Sequence, residues 1–249
     1  MRIVVEKDYE SMSKAVADHI IEMIKKKPNA LIELPGGDTP LGIFKELVNA
    51  SKTRNVDFSK CFFVSLDEWE NLGYETKGSC KQTLFDYLYK QLPIDLEKQV
   101  CFFDGKADLE KECQRVDQFI FDHGNLDLAV LGIGMNGHVG FNEPGVDENQ
   151  YCTIVPLDAV TQSVSIKYFG EQLNVAHGIT LGFKHFLNAK EVILIADSER
   201  KADIVQKVIE GPLKNEVPAS LIRKVKNSTI YLDRQASKKL KHQSLEAGY

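Results

Sequence analysis

The chain has 249 residues, 43% hydrophobic and 27% charged, the usage of a folded globular protein rather than a disordered one. Lys and Arg total 31 against 36 Asp and Glu, a formal net charge of -5, which excludes the basic footprint of a general nucleic-acid binder. No apolar run approaches the roughly 20 residues that cross a bilayer, the first residues lack the apolar core of a secretion signal, and the cysteines (Cys61, Cys80, Cys101, Cys113, Cys152) are scattered and form no C-x-x-C, so a soluble, cytoplasmic protein with reduced thiols and no membrane partner is expected.

Residues 2–6 alternate and predict a first strand. Over Tyr9–Lys26, Met12, Val16, Ile20, Met23 and Ile24 recur at helical spacing with a charged opposite face. Residues 30–34 read as a short apolar strand, broken by Pro35-Gly-Gly-Asp-Thr-Pro40, and residues 41–49 resume a helical pattern. Strands are predicted at 61–66 and 100–103, and helices at 81–91 and 109–123. Residues 126–131 form a buried strand that runs into a glycine-rich loop. A strand at 192–196, a helix at 199–210 and a last strand at 229–232 complete the series; the tail after Asp233, with its basic run from Lys238, reads as a frayed surface segment.

Strands that alternate with helices, and that are apolar on both sides, predict an open α/β sheet of mainly parallel strands with helices on both faces. A (β/α)₈ barrel is the competitor at this length. Eight β/α pairs cannot be counted, because residues 145–178 show no such unit. One domain over residues 1–249 is expected, with 145–178 as its lid.

Ligands of open α/β sheets bind outside the carboxyl ends of the strands, and three such ends are chemically loaded. Leu34-Pro-Gly-Gly-Asp-Thr-Pro-Leu41 joins a strand to a helix. Its glycines allow close backbone approach, and the unpaired N–H groups of the helix start suit a phosphate; a tight turn with a helix cap accounts for the segment equally well. Val64-Ser-Leu-Asp-Glu-Trp69 delivers Asp67 and Glu68 at a strand end, as a general base, a metal ligand or a simple turn cap. Leu131-Gly-Ile-Gly-Met-Asn-Gly-His-Val-Gly-Phe-Asn-Glu-Pro-Gly145 gathers glycines, Asn136, His138 and Glu143 in one loop. His138 is a residue type that gives and takes protons near neutral pH. The run formally contains G-x-G-x-x-G, but no helix follows, so a dinucleotide is not expected. Lys201 lies near a helix start; its alternative is a solvated surface lysine, as for Lys167.

These segments, with Gly178-Ile-Thr-Leu-Gly182, resemble the amino-sugar-6-phosphate deaminase/isomerase family from the Pro35 loop to about Asp233. The glycine, histidine and Asn-Glu-Pro segment is the most specific. The related 6-phosphogluconolactonases typically carry Asp-Glu-Arg and Ser-Leu-Phe-Pro where this chain has Asp67-Glu-Trp and Phe141-Asn-Glu-Pro, which favours the deaminase. Trp69 and the segment after Gly178 are similar to the galactosamine-6-phosphate branch.

The resemblance implies an open α/β fold without a nucleotide, and an enzyme that turns an amino-hexose 6-phosphate (glucosamine or galactosamine) and water into a ketohexose 6-phosphate and ammonia, with no metal or other cofactor. It implies ring opening by His138, with Glu143 as its acidic partner, and proton transfer between C2 and C1 by Asp67. Asn136 stands where many members have Asp and can only hydrogen-bond. Gly36, Gly37, Asp38, Thr39 and Lys201 match the phosphate site, and Lys167 aligns with a lid arginine. A small sugar phosphate is the implied partner, for a monomer or a homo-oligomer. The competing readings are a lactone hydrolase and a non-catalytic sugar-phosphate sensor.

Overall fold

A computed structural model describes residues 1–53, 56–157 and 175–241. Its strands are β1 (Arg2–Glu6), β2 (Leu31–Leu34), β3 (Phe62–Ser65), β4 (Asp67–Trp69), β5 (Val100–Cys101), β6 (Leu128–Gly132), β7 (Thr153–Pro156), β8 (His177–Thr180), β9 (Val192–Ala196) and β10 (Ser228–Asp233). Its helices are α1 (Tyr9–Lys26), α2 (Leu41–Thr53), α3 (Cys80–Tyr87), α4 (Leu96–Gln99), α5 (Leu109–Asp122), α6 (Phe183–Leu187) and α7 (Ala202–Glu210).

Seven strands pair in the order β1-β10-β9-β6-β2-β3-β5, all parallel. Alternate residues of the central strands serve opposite faces. Ile32, Leu34, Leu128, Val130, Ile193 and Ile195 pack with the apolar stripes of α1 and α2. Leu31, Ala129, Leu131, Val192 and Leu194 pack with Val116 and Ile120 of α5 and Val205 and Val208 of α7. Each buried Ile, Leu or Val contributes roughly 1.5–3 kcal/mol. This two-sided burial explains strands that read as unbroken apolar runs. Start signals are local: Asp8, Ser79 and Asp108 accept backbone N–H groups at the starts of α1, α3 and α5.

The chain leaves β2 toward β3 on one side, while β6 lies on the other, so strand order reverses between β2 and β6. That crevice is the switch point where open sheets bind ligands, and it receives the Pro35 turn and the loop after Gly132.

A second, antiparallel sheet, β4-β8-β7, was not expected from the sequence. Two of its strands fall at or within 145–178, read above as showing no β/α unit. They are too short, and Thr153–Pro156 is too exposed, to show an apolar period. Residues 158–174, including Lys167, lie outside the described residues. The tail after Asp233 is also corrected as far as it is described: Ala236 and Ser237 are buried and Leu240 packs on the core, while residues 242–249 lie outside the described residues. Residues 199–201 form a 3-10 turn before α7 rather than its first turn, entered through Ser198 at a φ of 70°. No described helix is long and apolar enough to cross a membrane.

Candidate active site

Asp67 opens β4, one residue beyond the end of β3. It is half-buried, and burial pushes its carboxyl up to about 6; the Cys80 thiol and the nearby His138 pull the other way. Cys80 Sγ lies 3.4 Å from Asp67 Oδ1. A Cβ on Gly36 would touch the same sulfur at 3.4 Å, so Cys80 fills the space between the Pro35 turn and Asp67. Glu68 turns the opposite way and is fully buried. It accepts the backbone N–H groups of Trp69, Cys80 and Lys81 at 2.9, 3.2 and 2.8 Å, adding to the Ser79 cap at the start of α3. Of the adjacent acids, one is structural and one faces the crevice.

The loop after β6 is knotted by its own backbone: Gly134 N–H donates to His138 O at 2.9 Å, and Gly137 N–H to Gly134 O at 3.0 Å. Asn136 accepts the His138 N–H at 3.1 Å and donates its amide to Glu143 Oε2 at 2.7 Å. Glu143 Oε1 lies 3.1 Å from His138 Nδ1, in ion-pair reach. Asn136, His138 and Glu143 are therefore one cluster. An Asp at 136 would set two carboxylates against each other at that 2.7 Å contact; the amide donates instead. Gly140 brings the loop to β4: its φ is 58°, and a Cβ there would meet Thr180 Oγ1 at 2.6 Å and Asp67 Oδ2 at 3.3 Å.

Across the crevice, Thr39 Oγ1 donates to Asp197 Oδ1 at 2.6 Å. Tyr9 caps the start of α2, accepting from Gly42 N–H at 2.8 Å and donating to Thr39 O at 3.0 Å. Lys201 donates to the Ile133 carbonyl at the end of β6, and burial holds its ammonium below the usual lysine range, with Arg200 adding to this and Asp197 opposing it. Thr39, Asp197 and Lys201 thus link the ends of β2, β9 and β6.

Sequence reasoning missed Cys80, Asp197, Thr180 and the buried Asn142, which clamps the carbonyls of Val139 and Leu181 at 2.9 and 2.8 Å. Asp197 carried a legible signal, an acid at the end of an apolar strand, as at Asp67. Trp69 is buried and meets the Phe141 ring edge-on at 4.9 Å. Phe141 in turn lies against Gly178, where a Cβ would be 2.5 Å from its ring. The tryptophan is a packing residue. Among the described residues, Asp67, Glu68 and His138 do not converge as metal ligands.

A parallel α/β sheet with titratable side chains on loops at both sides of its switch point is the architecture of an α/β enzyme. Residues 6–231 match the family model described as glucosamine-6-phosphate isomerases/6-phosphogluconolactonase, and the chain belongs to that family. It is 33% identical over 241 residues to a glucosamine-6-phosphate deaminase of Clostridium novyi, covering 96% of this chain and all of the relative. A glucosamine-6-phosphate deaminase of Bacillus pumilus is 36% identical over 243 residues, covering 95% and 98%. The structure superimposes on a monomeric glucosamine-6-phosphate deaminase with a TM-score of 0.91 at 31% identity, covering 96% of this chain and 99% of that one. A 6-phosphogluconolactonase of Thermotoga maritima shares the fold, with a TM-score of 0.75 at 19% identity over 93% and 99% of the chains.

Proposed function

We propose that the protein is a deaminating isomerase that converts glucosamine 6-phosphate and water to fructose 6-phosphate and ammonia. The observation that carries the reading is the Asn136–Glu143–His138 cluster held by Gly140 against Asp67, whose carboxyl titrates near 6. Such a pair of proton-transfer stations suits an aldose-to-ketose shift, which moves protons at the ring oxygen and then between two carbons.

The sugar phosphate seats its anion on the turn of Gly36, Gly37, Asp38 and Thr39, with Lys201 supplying charge. Asp197 directs the Thr39 hydroxyl, and a phosphate oxygen takes over the Lys201 ammonium from the Ile133 carbonyl. His138 moves the proton that opens the ring. Glu143 fixes the orientation of the imidazole, and Asn136 fixes Glu143. Asp67 takes the C2 proton and returns it at C1 through an enol-type intermediate; a carboxylate matched to near-neutral pH is the efficient base for this step. Ammonia leaves as water adds.

Residues 1–249 are read as one catalytic domain, with 145–178 as its lid and Lys167 on that lid as a second phosphate cation. The deaminase relatives and the Asn-Glu-Pro segment favour deamination over lactone hydrolysis. Trp69 and the segment after Gly178, similar to the galactosamine-6-phosphate branch, make galactosamine 6-phosphate the second substrate to compare. A coupled ammonia assay on glucosamine 6-phosphate, with galactosamine 6-phosphate and 6-phosphogluconolactone alongside, tests the assignment.

A further inference from the structure

Away from the crevice, side chains from α5, the start of β7 and α6 meet beside the outer edge of the small sheet. Asp117 lies on α5. Cys152 directly precedes β7, and His185 lies in α6. The ligand atoms of Asp117, Cys152 and His185 all fall within 4.8 Å of one another. His185 Nε2 is 2.6 Å from Asp117 Oδ1 and 4.0 Å from Cys152 Sγ.

The backbone holds this group together independently of the side chains. Cys152 N–H donates to Asp117 Oδ1 at 3.0 Å, tying β7 to α5. Lys184 N–H donates to Gln150 O at 3.0 Å, tying α6 to the same segment. Gly182 runs so close to that segment that a Cβ would lie 1.8 Å from Tyr151 O. His185 is 1% exposed, and the rings of Tyr151 and Phe121 lie against its imidazole at 4.8 and 5.8 Å.

Charge is what the cluster lacks. Asp117 Oδ1 accepts the Cys152 N–H and lies against His185 Nε2. Among the described residues no lysine or arginine forms an ion pair with Asp117. A half-buried carboxylate beside a thiol and an imidazole is a donor set suited to a cation, and sulfur with nitrogen and one oxygen is the set that zinc-class ions prefer. A tetrahedral centre with bonds of roughly 2.0–2.3 Å spaces its donors roughly 3.3–3.8 Å apart. The observed 2.6 and 4.0 Å bracket that spacing, so occupancy needs only side-chain adjustment.

We propose that Asp117, Cys152 and His185 form a structural three-ligand site for a zinc-class divalent ion, with solvent completing its coordination. Binding releases the Cys152 thiol proton, and any proton on His185 Nε2, to solvent, with no change of oxidation state. The ion braces α5 against the outer strand of the small sheet. In that sheet Thr153 pairs with Thr180 and Thr180 with Asp67, so the bracing reaches the strand that carries Asp67 without touching substrate.

The test uses the full chain, stripped with chelator under reducing conditions and titrated with cobalt(II). The expected result is a single cobalt per chain with thiolate-to-cobalt charge-transfer absorption. Cys152→Ser removes that absorption, and His185→Gln weakens binding by about tenfold or more. A measurement needing no variant runs alongside: zinc protects Cys152 from alkylation, read by peptide mass spectrometry, and leaves Cys80 unchanged. A wild-type chain without the charge-transfer band, a band that persists in Cys152→Ser, or alkylation of Cys152 unaffected by zinc overturns the proposal.

Discussion

Gly134 and His138 are in direct contact: a Cβ built on Gly134 would lie 2.3 Å from both Cδ2 and Nε2 of the imidazole. The ring rests on the bare backbone of its own loop, and that seat aims Nδ1 at Glu143. Gly134→Ala therefore displaces the ring without removing it. Activity is expected to fall about tenfold or more, the scale at which small misplacements cost rate. Comparing the pyranose with an open-chain analogue reads the cause. If His138 opens the ring, the analogue is spared; equal losses assign the histidine to a later step.

Asp67→Asn is expected to lower kcat on the order of 10²–10⁴-fold, the contribution of a positioned proton-transfer group. Binding of a sugar phosphate should survive, because the phosphate turn and Lys201 are untouched. Isothermal titration with a substrate analogue, beside steady-state rates, separates the two; a near-normal kcat removes Asp67 from the mechanism.

The Asp67 carboxyl, near 6 when folded against a reference of 3.8, makes a signed prediction for pH. As a base it must be ionised, so kcat/KM should decline below about pH 6. Stability runs the other way, because the folded state binds the proton more tightly than the unfolded state. The penalty is absent below the unfolded value, grows as pH rises through the interval to the folded value, and is complete above it. Asp67→Asn should therefore raise Tm at neutral pH, by the equivalent of on the order of 1–3 kcal/mol, with the gain vanishing near pH 4. Melting curves across that range check the sign, and a Tm gain independent of pH contradicts it.

Lys201→Ala should raise KM and weaken inhibition by inorganic phosphate in parallel. A hydrogen bond to a charged group contributes roughly 1.5–3 kcal/mol, about tenfold or more in affinity. Unchanged phosphate inhibition would put Lys201 outside the pocket.

The doubly wound sheet was legible because burial on both faces writes an unbroken apolar run at each central strand. Asp67, His138 and Glu143 were legible as polar residues at the ends of such runs. The small sheet was not, since β4 spans Asp67–Trp69 and carries no period a sequence can show. Asn136 was read as a hydrogen-bonding residue, but its two partners, His138 N–H and Glu143 Oε2, follow from the knot in the loop. Cys80 had no sequence signal; only the packing of α3 against the Pro35 turn brings its sulfur to Asp67. The contrast between Glu68 and Asp67 arises because neighbours on a strand point to opposite faces, and the face that meets the start of α3 is fixed by tertiary structure.

Regulation through the segment after the Asn-Glu-Pro motif is not expected. Glu143 to Val155 contains no Lys or Arg and carries Asp147 and Glu148. Lys224 approaches, but its ammonium lies 2.5 Å from Glu148 Oε2 and is spent there. An anion beside these carboxylates meets repulsion. Substrate curves should be hyperbolic, with no activation by an N-acetylamino-sugar 6-phosphate. Sigmoidal curves that such an effector straightens would contradict this.

The central claim, that the Asp67 and His138 stations serve deamination of an amino-sugar phosphate, is tested most directly by product analysis on the purified wild-type chain. Glucosamine 6-phosphate should yield equimolar ammonia and fructose 6-phosphate, and both products should disappear together in Asp67→Asn. No ammonia from glucosamine or galactosamine 6-phosphate, with rapid hydrolysis of 6-phosphogluconolactone, would contradict the account.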